Sequence, residues 1–186
     1  MVKSAGEHWV CSVLSRLDWG VALTRDGLER TDLLAVQTTG SRGIVEIQVK
    51  AATDAGANTK FALNAKTLQP AVSDREWFVF VVVPQSLSTA PRSYVVPRDH
   101  VSAAQWLAHM EWLTDPAIPA GRRNTQVTNT RINGAAWTGY ENRWDLLTAP
   151  STAAPVLLPE IYRDWAQTPR VGLPPNHPWQ AALPKW

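Results

Sequence analysis

The chain has 186 residues, 45% of them hydrophobic and 18% charged, with a formal net charge of +2; this suffices for one well-buried domain and an extension. The near-neutral balance permits a nucleic-acid partner but does not argue for one, since a protein that coats DNA is usually more basic. No run approaches about 18 apolar residues, which excludes a membrane-spanning helix; no apolar secretory core opens the chain, and a lone Cys11 forbids an intrachain disulfide and fits a reducing cytoplasm.

Ser4 followed by Glu7 is a capping-box spacing and predicts a helix start. Val10, Val13, Leu14 and Leu17 form its apolar stripe, and Gly20 suits its exit. Strands are predicted over 19–24, 31–37 and 44–51. Arg25-Asp26-Gly27 is a turn signal between the first two, and a polar loop over 38–43 joins the last two. Residues 52–74 are polar and Ala-rich and read as a loop with a short helix. Trp77-Phe78-Val79-Phe80-Val81-Val82-Val83 reads as a strand buried on both faces. A shorter strand is predicted over 93–96, then a helix capped by Asp99 with Ala103, Trp106, Leu107 and Met110 on its inner face. Asp115-Pro116 stops it. Beyond it, 125–132 reads as a strand and 140–147 as a short element. Eight of the 14 prolines fall from Pro150 to Pro184, so the remainder reads as an extended tail with a helical turn within 157–165, pinned by Trp179 and Trp186. The ten Trp read first as core and anchoring residues. The order predicts a mixed α/β domain, its sheet covered by helices, with a core over 1–115 and a C-terminal extension over 116–186 packing on it.

Glu46-Ile47-Gln48-Val49-Lys50 carries the chemistry. Alternation along a strand puts Glu46, Gln48 and Lys50 on one face, with Ile47 and Val49 on the other. Taking the hairpin midpoint at the Gly40–Ser41 junction, counting outward brings Asp32 opposite Val49. Asp32 therefore lies beside 48–50 without any assumption about function. Glu7 borders the helix face that packs on the sheet, where a carboxylate needs a partner. Mg²⁺ takes hard oxygen ligands, usually one or two carboxylates with waters and substrate phosphate. Asp32 supplies one carboxylate, Gln48 and the Val49 backbone supply neutral oxygens, and Glu7 or Glu46 supplies the second charge. Lys50 would favour a deprotonated attacking water and offset phosphate charge.

The segments Gly6-Glu7, Arg30-Thr31-Asp32-Leu33-Leu34-Ala35-Val36 and Val45-Glu46-Ile47-Gln48-Val49-Lys50-Ala51 resemble the PD-(D/E)xK nuclease superfamily, the restriction-endonuclease-like fold, and within it the Holliday-junction-resolvase-like and uncharacterised bacterial branches. The resemblance spans 4–83 and implies a helix, a three-stranded meander, a helix and a further strand. Residue by residue, Asp32 matches the metal-binding Asp, Lys50 the catalytic Lys, Gln48 the second acidic position and Glu7 a helix-borne Glu. Thr31 stands where the signature has Pro, and Gln48 where it has Asp or Glu, so Glu46 or Glu7 would supply the missing acid. The resemblance implies a Mg²⁺-dependent (or Mn²⁺-dependent) phosphodiesterase acting on DNA, an endonuclease rather than an exonuclease, and admits a homodimer. Arg122, Arg123 and Arg131 are candidate phosphate contacts. Two alternatives stay open: a DNA-binding or assembly module that keeps the fold without activity, and an interaction protein docking a partner through its Trp- and Pro-rich half.

Overall fold

The computed structural model describes residues 1–24, 29–40, 42–119, 121 and 123–186. The Arg25-Asp26-Gly27 turn and Arg122 lie outside the described residues.

The first helix, α1, spans Val2–Arg16 and buries Gly6, Val10 and Leu14. Ser4 lies inside its first turn, with no capping hydrogen bond at the true N-cap, Met1. The capping box is therefore not formed: Glu7 is drawn to the ammonium of Lys3, one turn back. Strands β1 (Trp19–Leu23), β2 (Leu33–Gln37) and β3 (Ile44–Thr53) form an antiparallel meander. A second, two-stranded sheet contains β4 (Lys60–Asn64). Strand β5 (Glu76–Val83) runs parallel to β3, and β6 (Arg92–Pro97) runs antiparallel to β5. The main sheet thus has the order β1-β2-β3-β5-β6. Helix α2 (Arg98–Thr114) follows; β7 (Asn129–Asn133) pairs with β4, and α3 spans Glu160–Gln167. The result is a mixed α/β fold, a five-stranded mixed sheet flanked by helices.

The parallel crossover from β3 to β5 carries β4 and two 3-10 turns, Gly56–Asn58 and Ala65–Leu68; the long helix comes only after β6. Residues 60–64, expected as loop, form β4 because Phe61 and Leu63 alternate inward and find β7 as a partner. Asp99 sits inside the first turn of α2, and its carboxylate accepts the N–H of Ala71 at 2.8 Å instead of capping the helix.

The two faces of the main sheet are packed differently. On one, α1 lies so close that a β-carbon at Gly6 would stand 2.7 Å from Cβ of Ala51. On the other, Phe80 stacks on Trp137 at 4.6 Å and meets Phe61 of β4 edge-on at 4.9 Å. Strand β5 is buried along nearly its whole length, as its unbroken apolar run requires. The chain beyond residue 115 contributes to this core through Trp137, Tyr140, Leu146, Leu147 and Trp179. Trp186 donates its indole N–H to the Leu158 carbonyl at 3.1 Å and meets Trp179 at 5.3 Å. Among the described residues no helix is long and apolar enough to cross a membrane.

Candidate functional site

The β2–β3 register pairs Leu33 with Ile47 and Val36 with Ile44, which places Asp32 opposite Gln48, one residue away from the Val49 expected by counting. Gln37 donates to the carbonyl of Gly43, so the turn centres on Gly40 itself, not on the junction after it. Strand β2 starts at Leu33, whereas β3 continues to Thr53 along β5. From Gln48 onward β3 therefore has a strand on one side only. This notch is the candidate site.

Asp32 is the last residue before β2 and lies at the head of the notch. Its N–H donates to the Ile47 carbonyl at 2.9 Å, and its carboxylate accepts the Val49 N–H at 2.8 Å. The side chain thus replaces the missing strand partner. Backbone alternation puts the Val49 carbonyl on the same edge. The other Asp32 oxygen lies 3.4 Å from the ammonium of Lys3, which also contacts Glu7 at 3.2 Å. Two carboxylates, 16% and 19% exposed, therefore share one cation, brought together by the packing of α1 at Gly6. Both neighbours raise the pKa of Lys3, the Glu7 hydrogen bond most.

Lys50 is half-buried. Among the described residues its ammonium has no hydrogen bond or ion pair. Burial lowers its pKa, the charge of Asp32 opposes the fall, and Lys3, Arg98 and Lys66 add to it. An ammonium that is desolvated, close to a carboxylate and not tied to it is the condition in which a lysine can address a substrate.

Glu46 and Gln48 are held elsewhere. Thr31 donates to the Glu46 carboxylate at 3.2 Å. The Gln48 side-chain oxygen accepts from Arg98 at 3.0 Å; because arginine only donates, that partner fixes which amide atom is the oxygen. Gln48 therefore presents its amide oxygen to Arg98 and turns its N–H groups away from it. Gln48 and Glu46 are thus each engaged by a neighbour of their own, Arg98 and Thr31, while Asp32 and Glu7 meet at Lys3. Among the described residues no three His, Cys, Asp or Glu side chains converge on one metal position.

Sequence reasoning missed the support beneath the notch. Arg98, 1% exposed, forms an ion pair with Glu76 at 2.6 Å. It donates to the carbonyls of Arg30 and Lys66 and lies 4.6 Å from the centre of the Phe78 ring. Burial lowers its pKa to about 10, with the charge of Arg30 adding to the fall and Glu76 opposing it, so it stays charged at neutral pH. Arg30 donates to the same Glu76 oxygen at 2.8 and 3.1 Å while its own backbone is left-handed, φ 74°. That conformation is uncommon for a residue with a side chain, and the contacts on either side hold it. A signal was present in the sequence: Glu76 opens an unbroken apolar strand, and Arg98 follows a buried strand directly.

The arginines expected at phosphates separate. Arg123 donates to the carbonyl of Leu113, in the last turn of α2, and to those of Asp115 and Ile118 beyond it. Arg131 stands exposed on β7.

No protein-family model matches the chain, and no curated protein matches it. Among solved structures it is similar to the bacterial homing endonuclease I-Ssp6803I, at 15% identity and a TM-score of 0.46, over 81% of this chain and 92% of that one.

Proposed function

We propose that this chain is a metal-dependent nuclease that hydrolyses phosphodiester bonds in DNA. The observation that carries the reading is the pair of carboxylates, Asp32 and Glu7, gripping one positive group at an open strand edge beside a half-buried Lys50 that has no partner among the described residues.

The donor set fits a small hard divalent ion. The Lys3 ammonium already occupies the position between the two carboxylates, and Mg²⁺ needs no more than one or two carboxylates when waters complete its shell. Asp32 and Glu7 would hold the ion, and when bound it supplies neutralisation of phosphate charge and a water of lowered pKa. Asp32 is oriented by the Val49 N–H. Lys50 brings positive charge to the attacking side, where desolvation strengthens its pull on a developing oxyanion. Gln48, its oxygen committed to Arg98, offers amide N–H donors to a phosphate oxygen.

Cleavage of supercoiled plasmid and of branched DNA, with Mg²⁺ or Mn²⁺, tests the reading against Lys50→Ala and Asp32→Ala. Each variant is expected to lose about 100-fold or more, the order of magnitude for removing a charge-stabilising group. Equal turnover by wild type and both variants would eliminate the mechanism. A second reading, a DNA-binding module without turnover, is favoured by one observation: the residue at position 48, where the resemblance has an acid, is a neutral Gln whose oxygen accepts from Arg98. It predicts salt-sensitive DNA binding with no metal-dependent cleavage.

A further inference from the structure

The β4–β7 ribbon has a face that the nuclease reading leaves unused. Its register sets Lys60 against Asn133, Ala62 against Arg131 and Asn64 against Asn129. Phe61, Leu63, Thr130 and Ile132 point inward and are buried, while Lys60, Ala62, Asn64, Asn129 and Arg131 are exposed and Asn133 is half-exposed. The outward face thus carries two cations, three amides and a methyl group, and no carboxylate, in a chain whose acidic and basic residues are nearly equal in number, 16 against 18. Asn64 and Asn133 each accept a backbone N–H at a turn. Among the described residues the side chains of Lys60, Asn129 and Arg131 make no hydrogen bond or ion pair.

We infer that this face reads duplex DNA by entering the major groove, an inference that rests on the nuclease reading and gives it a recognition surface. Chemistry and size both point there. Arginine matches the acceptors of guanine and asparagine the donor–acceptor pair of adenine, while a methyl group meets thymine. Five residues at about 3.4 Å each make a ribbon of about 17 Å, with strands about 4.8 Å apart. A major groove about 12 Å wide admits such a ribbon, whereas the deep, narrow groove of duplex RNA does not. The ribbon is also rigidly backed, because Phe61 packs on Phe80 and Phe80 on Trp137. Finally, it is tied to the notch. Asn64 leads directly into the Ala65–Leu68 turn, whose Lys66 carbonyl accepts from Arg98, the residue that holds Gln48.

The test is binding in EDTA, where no metal-dependent turnover occurs, by gel shift of the full chain on a randomised 30-base-pair DNA pool carried through selection. Arg131→Ala and Asn129→Ala are each expected to weaken binding about 5- to 100-fold to the selected duplex and to relax one position of the selected motif. Lys60→Ala is expected to weaken binding across all sequences and to lower the salt slope by about one. Arg16→Ala, at the far end of α1, is expected to change neither, and thermal unfolding checks that the variants stay folded. Wild-type affinity and motif in all three ribbon variants would overturn the inference, as would preference for duplex RNA or for single strands of the same length. Cleavage by a protein whose ribbon variants bind as wild type removes the inference alone. Ribbon-dependent binding without cleavage in Mg²⁺ removes the nuclease reading alone.

Discussion

Replacing Arg98 by Met tests whether the notch rests on a buried ion network. The guanidinium is 1% exposed and Glu76 is 3% exposed, so neither charge is relieved by water. Breaking a buried pair by removing one partner costs about 3–5 kcal/mol, because the other charge is left uncompensated. Two features set where in that range the loss falls. Arg30 still pairs with Glu76 at 2.8 Å, and the Val72 N–H still donates to it, which moderates the penalty. Against this, the Gln48 oxygen and the carbonyls of Arg30 and Lys66 lose their donor together, at about 1 kcal/mol or more for each acceptor left unpaired. The expected loss is about 3–5 kcal/mol. For a chain of this length that is a fall in Tm of roughly 6–20 °C. Urea unfolding followed by fluorescence and by circular dichroism is the assay, with a lower midpoint and an unchanged slope expected. Adding Glu76→Gln to Arg98→Met should cost less than the two single losses summed, since the orphaned charge is then gone. A loss below about 1 kcal/mol for Arg98→Met, or strict additivity in the double variant, would refute the reasoning.

Removing the built-in cation should help a metal: Lys3→Ala is expected to bind Mg²⁺ about two- to fivefold more tightly in calorimetric titration, the scale of an exposed ion pair, and weaker binding would show that Lys3 does not compete for Asp32 and Glu7. Acid should act through His100, which is buried with Nδ1 2.8 Å from the Tyr140 hydroxyl. Burial, with His177 adding a smaller push, lowers its pKa from 6.5 to about 3. The unfolded chain therefore binds the proton first. The stability is fully present above pH 6.5 and is lost as the pH falls toward 3, by about 2 kcal/mol at pH 5. In His100→Asn, whose side-chain oxygen can still accept from Tyr140, stability measured by urea unfolding should depend less steeply on pH over that window; an unchanged slope counts against His100 as its source.

The parts of this protein that were legible in its sequence are those whose signal is local. The alternation at 46–50 and the unbroken run at 77–83 each report a strand's surroundings directly, one face polar and then both faces buried. The stripe of Val10 and Leu14 likewise marks the helix face that carries Glu7. What depended on distant partners was not legible. Residues 60–64 alternate over only five positions, and their pairing strand lies some 65 residues on, so nothing nearby distinguishes them from a loop. The hairpin register missed by one residue because it follows from whether the turn centres on a residue or on a peptide bond. Arg98 and Glu76 are 22 positions apart, and a charged residue beside an apolar strand reads as a solvated end until the strand is seen to be covered.

The same network accounts for Gln48, the residue that departs most from the resemblance. Arg98 lies in the core with Glu76 as its counter-charge, and Glu46 is near enough to act on it as well. A carboxylate at position 48 would have to be desolvated beside an arginine that already pairs with Glu76, where burying a further charge is expensive. A neutral amide accepts from the guanidinium without that burden. The second acid would, on the nuclease reading, come from α1, where Gly6 lets the helix approach β3 closely enough for Glu7 to face Asp32 through a single cation. On the nuclease reading, glutamine at 48 is a consequence of what is buried behind it, so Gln48→Glu should destabilise the fold before it improves any metal site.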